Sequence, residues 1–283
     1  MSILNADLHC HSVVSDGTLT PEELASRAAA NGVELWSLTD HDEIGGQERA
    51  AQAARGHGMK YLTGTEISVT FANETVHILG LGFDPDDPAM RQGLGETRGG
   101  RTARAMEMAQ QLALVGIKDA YEGALRYVGN PELVSRMHFA RFLVETGVCK
   151  DTGEVFRKYL TEGHPGYVSH RWASLKAAVQ WITSAGGMAV IAHPARYRFT
   201  ANEEYALFSE FKVHGGRGVE VVTGSHTAAE YVRYAETARE FDLAASRGSD
   251  FHSPVESHTD LGRLPFLPGD LTPVWEVLAD RIQ

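Results

Sequence analysis

Two short motifs near opposite ends of the chain have the residue types and spacing to hold a cation: His9-Cys10-His11, followed by Asp16, and Asp250-Phe251-His252. At the end of a strand, residues i and i+2 project to the same side, so His9 and His11 can share one ion while Cys10 faces away. Alone, a His-x-His is as easily a pair of capping or surface histidines in a chain with 13 of them. Asp40-His41-Asp42 adds weight, because a carboxylate beside an imidazole after a buried strand is costly unless something positive compensates it. Asp40 or Asp42 could then orient a ligand rather than be one. Glu66, His77 and His193-Pro194 complete the set. Singly, Glu66 reads as a solvated loop charge and His77 as a satisfied core histidine. What chance does not readily supply is five separate strand ends that each close on His, Asp or Glu.

These positions offer six histidines and three or four carboxylates, more than one zinc takes and enough for two or three divalent ions. A mixed nitrogen and oxygen set suits manganese, iron or zinc better than the all-oxygen surroundings of magnesium. Cations crowded into one pocket draw in a phosphate, acidify water and clamp the oxygens of an in-line displacement. No serine or cysteine nucleophile is then required.

The elements that must position these side chains repeat one unit: a short apolar run, polar residues, then an amphipathic helix. Runs at 3–8, 33–39, 61–64, 188–192 and 243–245 lead respectively to His9, to Asp40 and His41, toward Glu66, to His193, and through Gly248-Ser249 to Asp250. The run 219–222 leads to Thr223-Gly224-Ser225-His226, whereas His77 lies inside the apolar stretch 76–81. Thr20-Pro21-Glu22-Glu23 predicts an N-cap, a proline in the first turn and a capping-box glutamate, with Gly32 closing the helix after Asn31. Further helices are expected over 47–55, 175–185, 203–213 and 227–241. Strands alternating with helices of this length, with ligands at strand carboxyl ends, predict an α/β fold of parallel βαβ units: a (β/α) barrel with its chemistry on one face. From 101 to 168 the pattern changes to four helix-like segments (102–115, 120–128, 136–146 and 154–160) and no strand. This stretch reads as a helical insertion between barrel halves 1–100 and 169–283, with linkers near Asp84-Pro85-Asp86-Asp87-Pro88 and Gly99-Gly100.

Composition narrows the partners. The 283 residues are 43% hydrophobic and 22% charged, enough for one large domain or two modest ones. A net charge of −11 without a basic stripe excludes duplex nucleic acid as a partner, and an anionic substrate must meet local positive charge. Cys10 and Cys149 build no disulfide framework, which suits a reducing compartment. No apolar stretch approaches the ~20 residues of a membrane span, and the opening MSILNADLHCH has no basic leader. A cytoplasmic protein without membrane partners is expected.

The residues resemble the PHP (polymerase and histidinol phosphatase) superfamily of metal-dependent phosphoesterases. Its four motifs match His9-x-His11, Asp40-His41, His193 and Asp250-x-His252, with Asp16, Glu66 and His77 at the intervening ligand positions. The resemblance implies a distorted (β/α)7 TIM-like barrel and a trinuclear centre. A first metal would take His9, His11, Glu66 and Asp250, a second Glu66 with His77 and His193, and a third Asp16, His41 and His252. Catalytic duty would fall on His41, Glu66, His193 and Asp250, with Asp40, a histidine or a water as the proton source. Within the insertion, 135–141, 156–160 and Gly166-Tyr167-Val168 resemble a subgroup whose members remove the 3'-phosphate of nucleoside 3',5'-bisphosphates, leaving AMP from the adenosine compound. Relatives trim short RNA from the 5' end. Met137 stands where that subgroup has proline.

Ser135, Arg136 and His138 at a helix start suit a phosphate grip, since a guanidinium fork matches phosphate geometry; Arg136 could equally be a solvated helix charge. Arg171, Arg196 and His226 are weaker candidates of the same kind. Trp172 and Phe199 could stack on a base or simply pack, and Arg157 and Lys158 fit a wet helix face. The expected function is therefore a phosphohydrolase acting on nucleoside 3',5'-bisphosphates and, by resemblance, on short single-stranded oligonucleotides. Manganese is the expected ion, with Fe2+, Zn2+ or Mg2+ as alternatives. The rivals are a phosphatase for histidinol phosphate or another small phosphomonoester, a nuclease, and a metal-stabilised binding module. The last would show closed sites of about four ligands per zinc.

Overall fold

The computed structural model describes residues 4–283, so Ile3 of the first apolar run lies outside the described residues. The chain folds as a mixed α/β structure. Strands β1 (Ala6–Asp7), β2 (Leu35–Trp36) and β3 (Lys60–Tyr61) form a parallel sheet in the order β1-β2-β3. The other six are β4 (Gly64–Phe71), β5 (Glu74–Leu81), β6 (Ala173–Ser174), β7 (Met188–Ile191), β8 (Gly218–Thr223) and β9 (Ala244–Gly248). They form a second sheet in the order β6-β4-β5-β7-β8-β9.

The two sheets meet along two seams. The chain after β1 bonds to β9 and its continuation through Leu8 N–H to Arg247 O (3.0 Å), Asp250 N–H to His9 O (2.8 Å) and His11 N–H to Phe251 O (2.8 Å). The chain after β2 bonds to β4 through Glu66 N–H to Asp40 O (3.2 Å) and Asp42 N–H to Glu66 O (2.8 Å). Gly248 makes the first seam possible, because a Cβ there would come within 2.3 Å of His9 Cβ and 2.6 Å of its backbone nitrogen.

Eleven α-helices accompany the strands among the described residues: α1 (Pro21–Ala30), α2 (Gln47–Gly56), α3 (Pro88–Arg98), α4 (Arg101–Leu114), α5 (Ala120–Leu125), α6 (Arg136–Glu145), α7 (Thr152–Val155), α8 (Leu175–Ser184), α9 (Ala201–Val213), α10 (Ala228–Glu240) and α11 (Val274–Val277). The start of α1 is as the sequence implies. Glu23 N–H donates to Thr20 Oγ1 (3.2 Å), Thr20 N–H donates to Glu23 Oε2 (2.8 Å), and Gly32 takes a φ of 78°.

Several expectations give way. The run 61–64 does not end before Glu66; the chain enters β4 at Gly64, and Glu66 is its third residue. The sheet is not uniformly parallel either, since β5 pairs antiparallel with both β4 and β7. The hairpin β4–β5 turns through Ala72 and Asn73 at φ of 46° and 65°, the two-residue geometry that Gly usually announces. Asp84–Pro88 is not only a linker. Asp87 caps α3 by accepting Met90 N–H (2.8 Å), Pro88 occupies its first turn, and Met90 and Leu94 enter the main core.

That core lies between the second sheet and α8, α9 and α10, with Ile67, Ile78, Val179, Ile191 and Phe211 fully buried. Residues 105–168 contribute a core of their own, built on Leu112, Phe139, Leu143, Val155 and Leu160, each fully buried side chain contributing about 1.5–3 kcal/mol. No strand occurs in that stretch, and its last helix-like segment is α7 running into a π-helical turn, Phe156–Leu160.

Candidate metal centre

Alternation past the end of β1 sends His9 and His11 to one side. Cys10 goes to the other, where its sulfur accepts the indole N–H of Trp36 at 3.2 Å. Glu66 on β4 stands opposite the histidines, and Asp250 arrives just after β9 at a φ of 54°. Four atoms converge here: His9 Nε2 and His11 Nε2 lie 3.3 and 3.2 Å from Glu66 Oε2, and 3.4 and 3.2 Å from Asp250 Oδ1. The second carboxylate oxygen of Glu66 faces His77 Nδ1 and His193 Nε2, both at 2.9 Å. A third group gathers around Asp16 Oδ1, with His252 Nε2 at 3.4 Å, His41 Nε2 at 3.9 Å and His11 Nδ1 at 4.0 Å. All nine residues singled out as ligands thus lie in one contiguous cluster.

The donor set fits divalent cations on the structure's own terms. Glu66 Oε2, Asp250 Oδ1, Asp16 Oδ1, His41 Nδ1, His11 Nδ1 and His193 Nδ1 are buried without a hydrogen-bond partner. Glu66 Oε2 has three imidazole nitrogens within 3.3 Å and still makes no hydrogen bond. Orphaned buried polar atoms are costly unless something else satisfies them.

The electrostatics of the protein groups lean the same way. Burial alone would raise the carboxyls of Glu66, Asp16 and Asp250, but the surrounding histidines hold all three well below the usual carboxylate range. Burial likewise opposes a charge on His11, yet Asp250 and Glu66 push it up to about 10. His193, by contrast, is pushed down to about 3 by burial and then by Arg196. The carboxylates stay ionised and His193 stays neutral, as ligands must, whereas the same carboxylates raise His9 and His11, which would give up a proton on binding a cation.

Sequence reasoning missed a residue beneath this centre. Glu220 on β8, fully buried, accepts His9 Nδ1–H at 3.0 Å and the backbone N–H of His193 at 2.7 Å. The first bond fixes the tautomer that leaves His9 Nε2 free; the second pins a histidine whose φ is 27°. Its signal was the strand 218–223 itself, in which a carboxylate interrupts an otherwise apolar run.

The centre forms the floor of a cleft of about 390 Å³, and the insertion forms its wall. Arg136 and Ser135, at the start of α6, line it as expected, and Ser135 Oγ donates to Asp16 Oδ2 at 3.1 Å. Arg196 also lines it and bonds Asp250 Oδ2 at 2.7 Å. Four other candidates are placed elsewhere. Asp40 lines no part of the cleft; its oxygens accept from Ser12 N–H (2.8 Å), Ser12 Oγ (2.7 Å) and Ser15 Oγ (2.6 Å), which holds the loop carrying His11 and Asp16. His138 is buried and caps α6, its Nδ1 accepting Ser135 N–H at 2.9 Å. His226 spends both ring nitrogens on backbone groups of Ala195 and Val221. Arg171 is exposed and outside the cleft.

Two arginines took no part in the sequence reading. Arg101 and Arg104, one turn apart on α4, line the cleft beside Arg136. Arg101 forms a buried ion pair with Asp42, and both guanidinium groups lie over the Trp172 ring, at 4.8 and 5.4 Å from its centroid. Trp172 is therefore covered, and Phe199 packs on Phe71. Burial, then the charges of Arg136 and Arg101, push Arg104 down to about 9. Three crowded cations with no carboxylate for two of them make a receptor for an anion. The i, i+3 spacing after Gly99-Gly100 was the available clue.

Comparison with known proteins gives a consistent picture. The PHP domain family matches residues 7–185. The chain is similar to a 3',5'-nucleoside bisphosphate phosphatase of Chromobacterium violaceum, 50% identical over 278 residues that span 98% of each chain. It is also similar to a 5'-3' exoribonuclease of Haemophilus influenzae, 41% identical over 270 residues, 95% of this chain and 97% of the other. Among solved structures, a metal-dependent phosphoesterase from Bifidobacterium adolescentis superposes with a TM-score of 0.81 at 28% identity, over 97% of this chain and 95% of that one.

Proposed function

The chain belongs to the PHP domain family, and from that premise we propose that it is a phosphoric ester hydrolase removing the 3'-phosphate of nucleoside 3',5'-bisphosphates, adenosine 3',5'-bisphosphate giving AMP and phosphate. The observation that carries this reading is a cluster of nine metal-type donors, six of which line a cleft with three arginines on its wall. One end suits the phosphate that reacts and the other a phosphate that is only held. A histidinol phosphate has no second phosphate for Arg101, Arg104 and Arg136 to meet.

His9, His11, Glu66 and Asp250 would hold one cation and Asp16, His41 and His252 another, while Glu66 with His77 and His193 would hold a further one, with manganese favoured by the mixed donors. When bound, such ions supply Lewis-acid stabilisation of the phosphoryl oxygens and lower the pKa of water. Water oxygen bonds to phosphorus, the P–O3' bond breaks with its electron pair on O3', and a proton ends on O3'. Arg196 keeps Asp250 aimed at the floor, Ser135 ties the wall to Asp16, and Glu220 fixes the faces of His9 and His193. Arg101, Arg104 and Arg136 take the 5'-phosphate.

Residues 101–168 act as a substrate-capping insertion on a catalytic unit of 1–100 and 169–283, whose two sheets we read as one distorted (β/α) barrel closed at the two seams. Unpaired Cys10 and Cys149 suit a reducing compartment, and among the described residues no helix is long and apolar enough to cross a membrane. We therefore place the protein in the cytoplasm.

Phosphate release from adenosine 3',5'-bisphosphate, adenosine 3'-phosphate and histidinol phosphate, each with manganese, magnesium and zinc, tests the reading. The bisphosphate is expected to have the highest kcat/KM. A higher value for histidinol phosphate would overturn the assignment.

A further inference from the structure

The three donor groups are not held alike. In the two that share Glu66, imidazole nitrogens stand 2.9–3.4 Å from the carboxylate oxygens they face. Around Asp16 Oδ1 the spacing is looser, with His252 Nε2 at 3.4 Å and His41 Nε2 at 3.9 Å. Among the described residues, no hydrogen bond or ion pair joins His9, His11, Glu66, His77, His193 or Asp250 to the insertion.

The looser group is tied to the insertion three times. Ser135 Oγ, at the cap of α6, donates to Asp16 Oδ2 at 3.1 Å. Asp42, the neighbour of His41, forms its buried ion pair with Arg101. His252 is reached through its own loop: its N–H donates to Ser257 Oγ at 2.8 Å, and the adjacent Glu256 accepts Arg141 Nε and Nη2 at 2.9 and 2.8 Å. Arg141 lies on α6, is 7% exposed and lines no part of the cleft. A two-bond fork of this kind fixes orientation as well as distance. The helices that make these ties, α4 and α6, also carry Arg101 and Arg136 into the wall.

We propose that the insertion completes the Asp16, His41 and His252 site, so that a nucleotide on the wall and a cation at this site strengthen each other's binding, with Arg141 as the positioning residue on the Glu256 loop. The wall ligand is the 5'-phosphate of the reading above, on which the inference rests. A 5'-phosphate drawn between Arg101, Arg104 and Arg136 settles α4 and α6 against the floor, and the ties transmit that shift to Asp16, His41 and His252. The coupling is reciprocal: the factor that nucleotide adds to cation affinity, the cation adds to nucleotide affinity. It is confined to one site of three, since the other two have no tie to the insertion.

Manganese titration calorimetry of the full chain, with and without AMP, tests this for wild type, Arg141→Gln and Arg141→Lys. AMP carries the 5'-phosphate and no reacting phosphate. In wild type it is expected to tighten the weakest of three manganese equilibria, which the spacing assigns to Asp16, His41 and His252, by about tenfold. The other two should stay within about twofold. Arg141→Gln should keep the two tight equilibria and lose the effect of AMP on the weakest. Arg141→Lys keeps a charge for Glu256 without the fork; it should retain part of the effect, and it carries the test if the glutamine variant does not fold. A residue that only stabilised the fold would shift all three equilibria together. Three results overturn the coupling while leaving the phosphatase reading intact: AMP changing the weakest equilibrium no more than the others, AMP acting on it equally in wild type and both variants, or only two manganese equilibria in wild type. A manganese-loaded wild type that binds no AMP takes down both.

Discussion

The floor of the cleft and its wall are built by opposite means. Floor donors arrive singly from many parts of the chain, each held by backbone geometry: His193 and Asp250 at φ of 27° and 54°, Asp42 beside His41 at 50°, Glu66 inside a strand. Such conformations cost about 1–3 kcal/mol each and persist only where the surroundings over-determine them. The wall is made of long side chains from α4 and α6 laid on aromatic rings, Arg101 and Arg104 on Trp172 and Arg136 on Phe156 at 5.7 Å. The difference separates two duties. The rigid floor fixes which reaction occurs, and the adjustable wall fixes which molecule undergoes it.

If that division is right, floor substitutions should remove turnover and wall substitutions should shift KM. The largest effect is expected for His193→Ala and Asp250→Ala, which should lower phosphate release by about a thousandfold or more, since each loses a donor from a buried, charge-balanced centre. Full turnover in His193→Ala would sink the division outright. Chelation should abolish activity while far-UV circular dichroism stays unchanged; unfolding on chelation would instead mark the sites as structural. Glu220→Gln tests the floor from beneath. The amide still accepts His193 N–H but loses the charge that orients His9, and manganese affinity should fall about 10–100-fold in a direct metal titration. Unchanged affinity would mean that the backbone alone sets the floor.

The floor was also the more legible of the two in the sequence, and the reason is physical. Alternation after a strand end is short-range, so His9-x-His11 and Asp250-x-His252 announce their own geometry, and Thr20-x-x-Glu23 announces a helix start. Glu220 and Asp40 act at long range: one lies 211 residues from the histidine it orients, and the other serves Ser12 and Ser15 rather than substrate. Neither role shows in local spacing. The hairpin β4–β5 escaped notice because Ala72-Asn73 carries no glycine, although both residues adopt positive φ. Arg101 and Arg104 escaped because a charged helix face normally reads as a solvated one, and only the packing of α4 against Trp172 turns that face inward.

Arg136→Ala probes the wall directly. KM for the bisphosphate should rise by about tenfold with kcat nearly kept, because the lost contact holds a phosphate that does not react. Adenosine 3'-phosphate, which lacks the 5' group, should be turned over as before. A matched fall in kcat and kcat/KM would instead assign Arg136 to the floor.

The smallest effect concerns the joint between the two, where Ser135 bonds Asp16 and His138 caps the helix that carries Arg136. Burial, against the opposing charge of Asp16, pushes His138 down to about 4. The unfolded chain takes up that proton near pH 6.5 and the folded chain does not, so the stability lost through His138 grows as pH falls from 6.5 toward 4. A cation beside Asp16 would depress the value further, so the sign holds with or without metal. Glutamine at 138 keeps an acceptor three residues after the Ser135 cap and removes the titration. Relative to its own value at pH 7.5, His138→Gln should therefore gain about 1 kcal/mol on wild type at pH 5.5 in urea unfolding. Parallel curves for the two proteins between pH 7.5 and 5.5 would show that the wall is joined to the floor without help from a neutral His138.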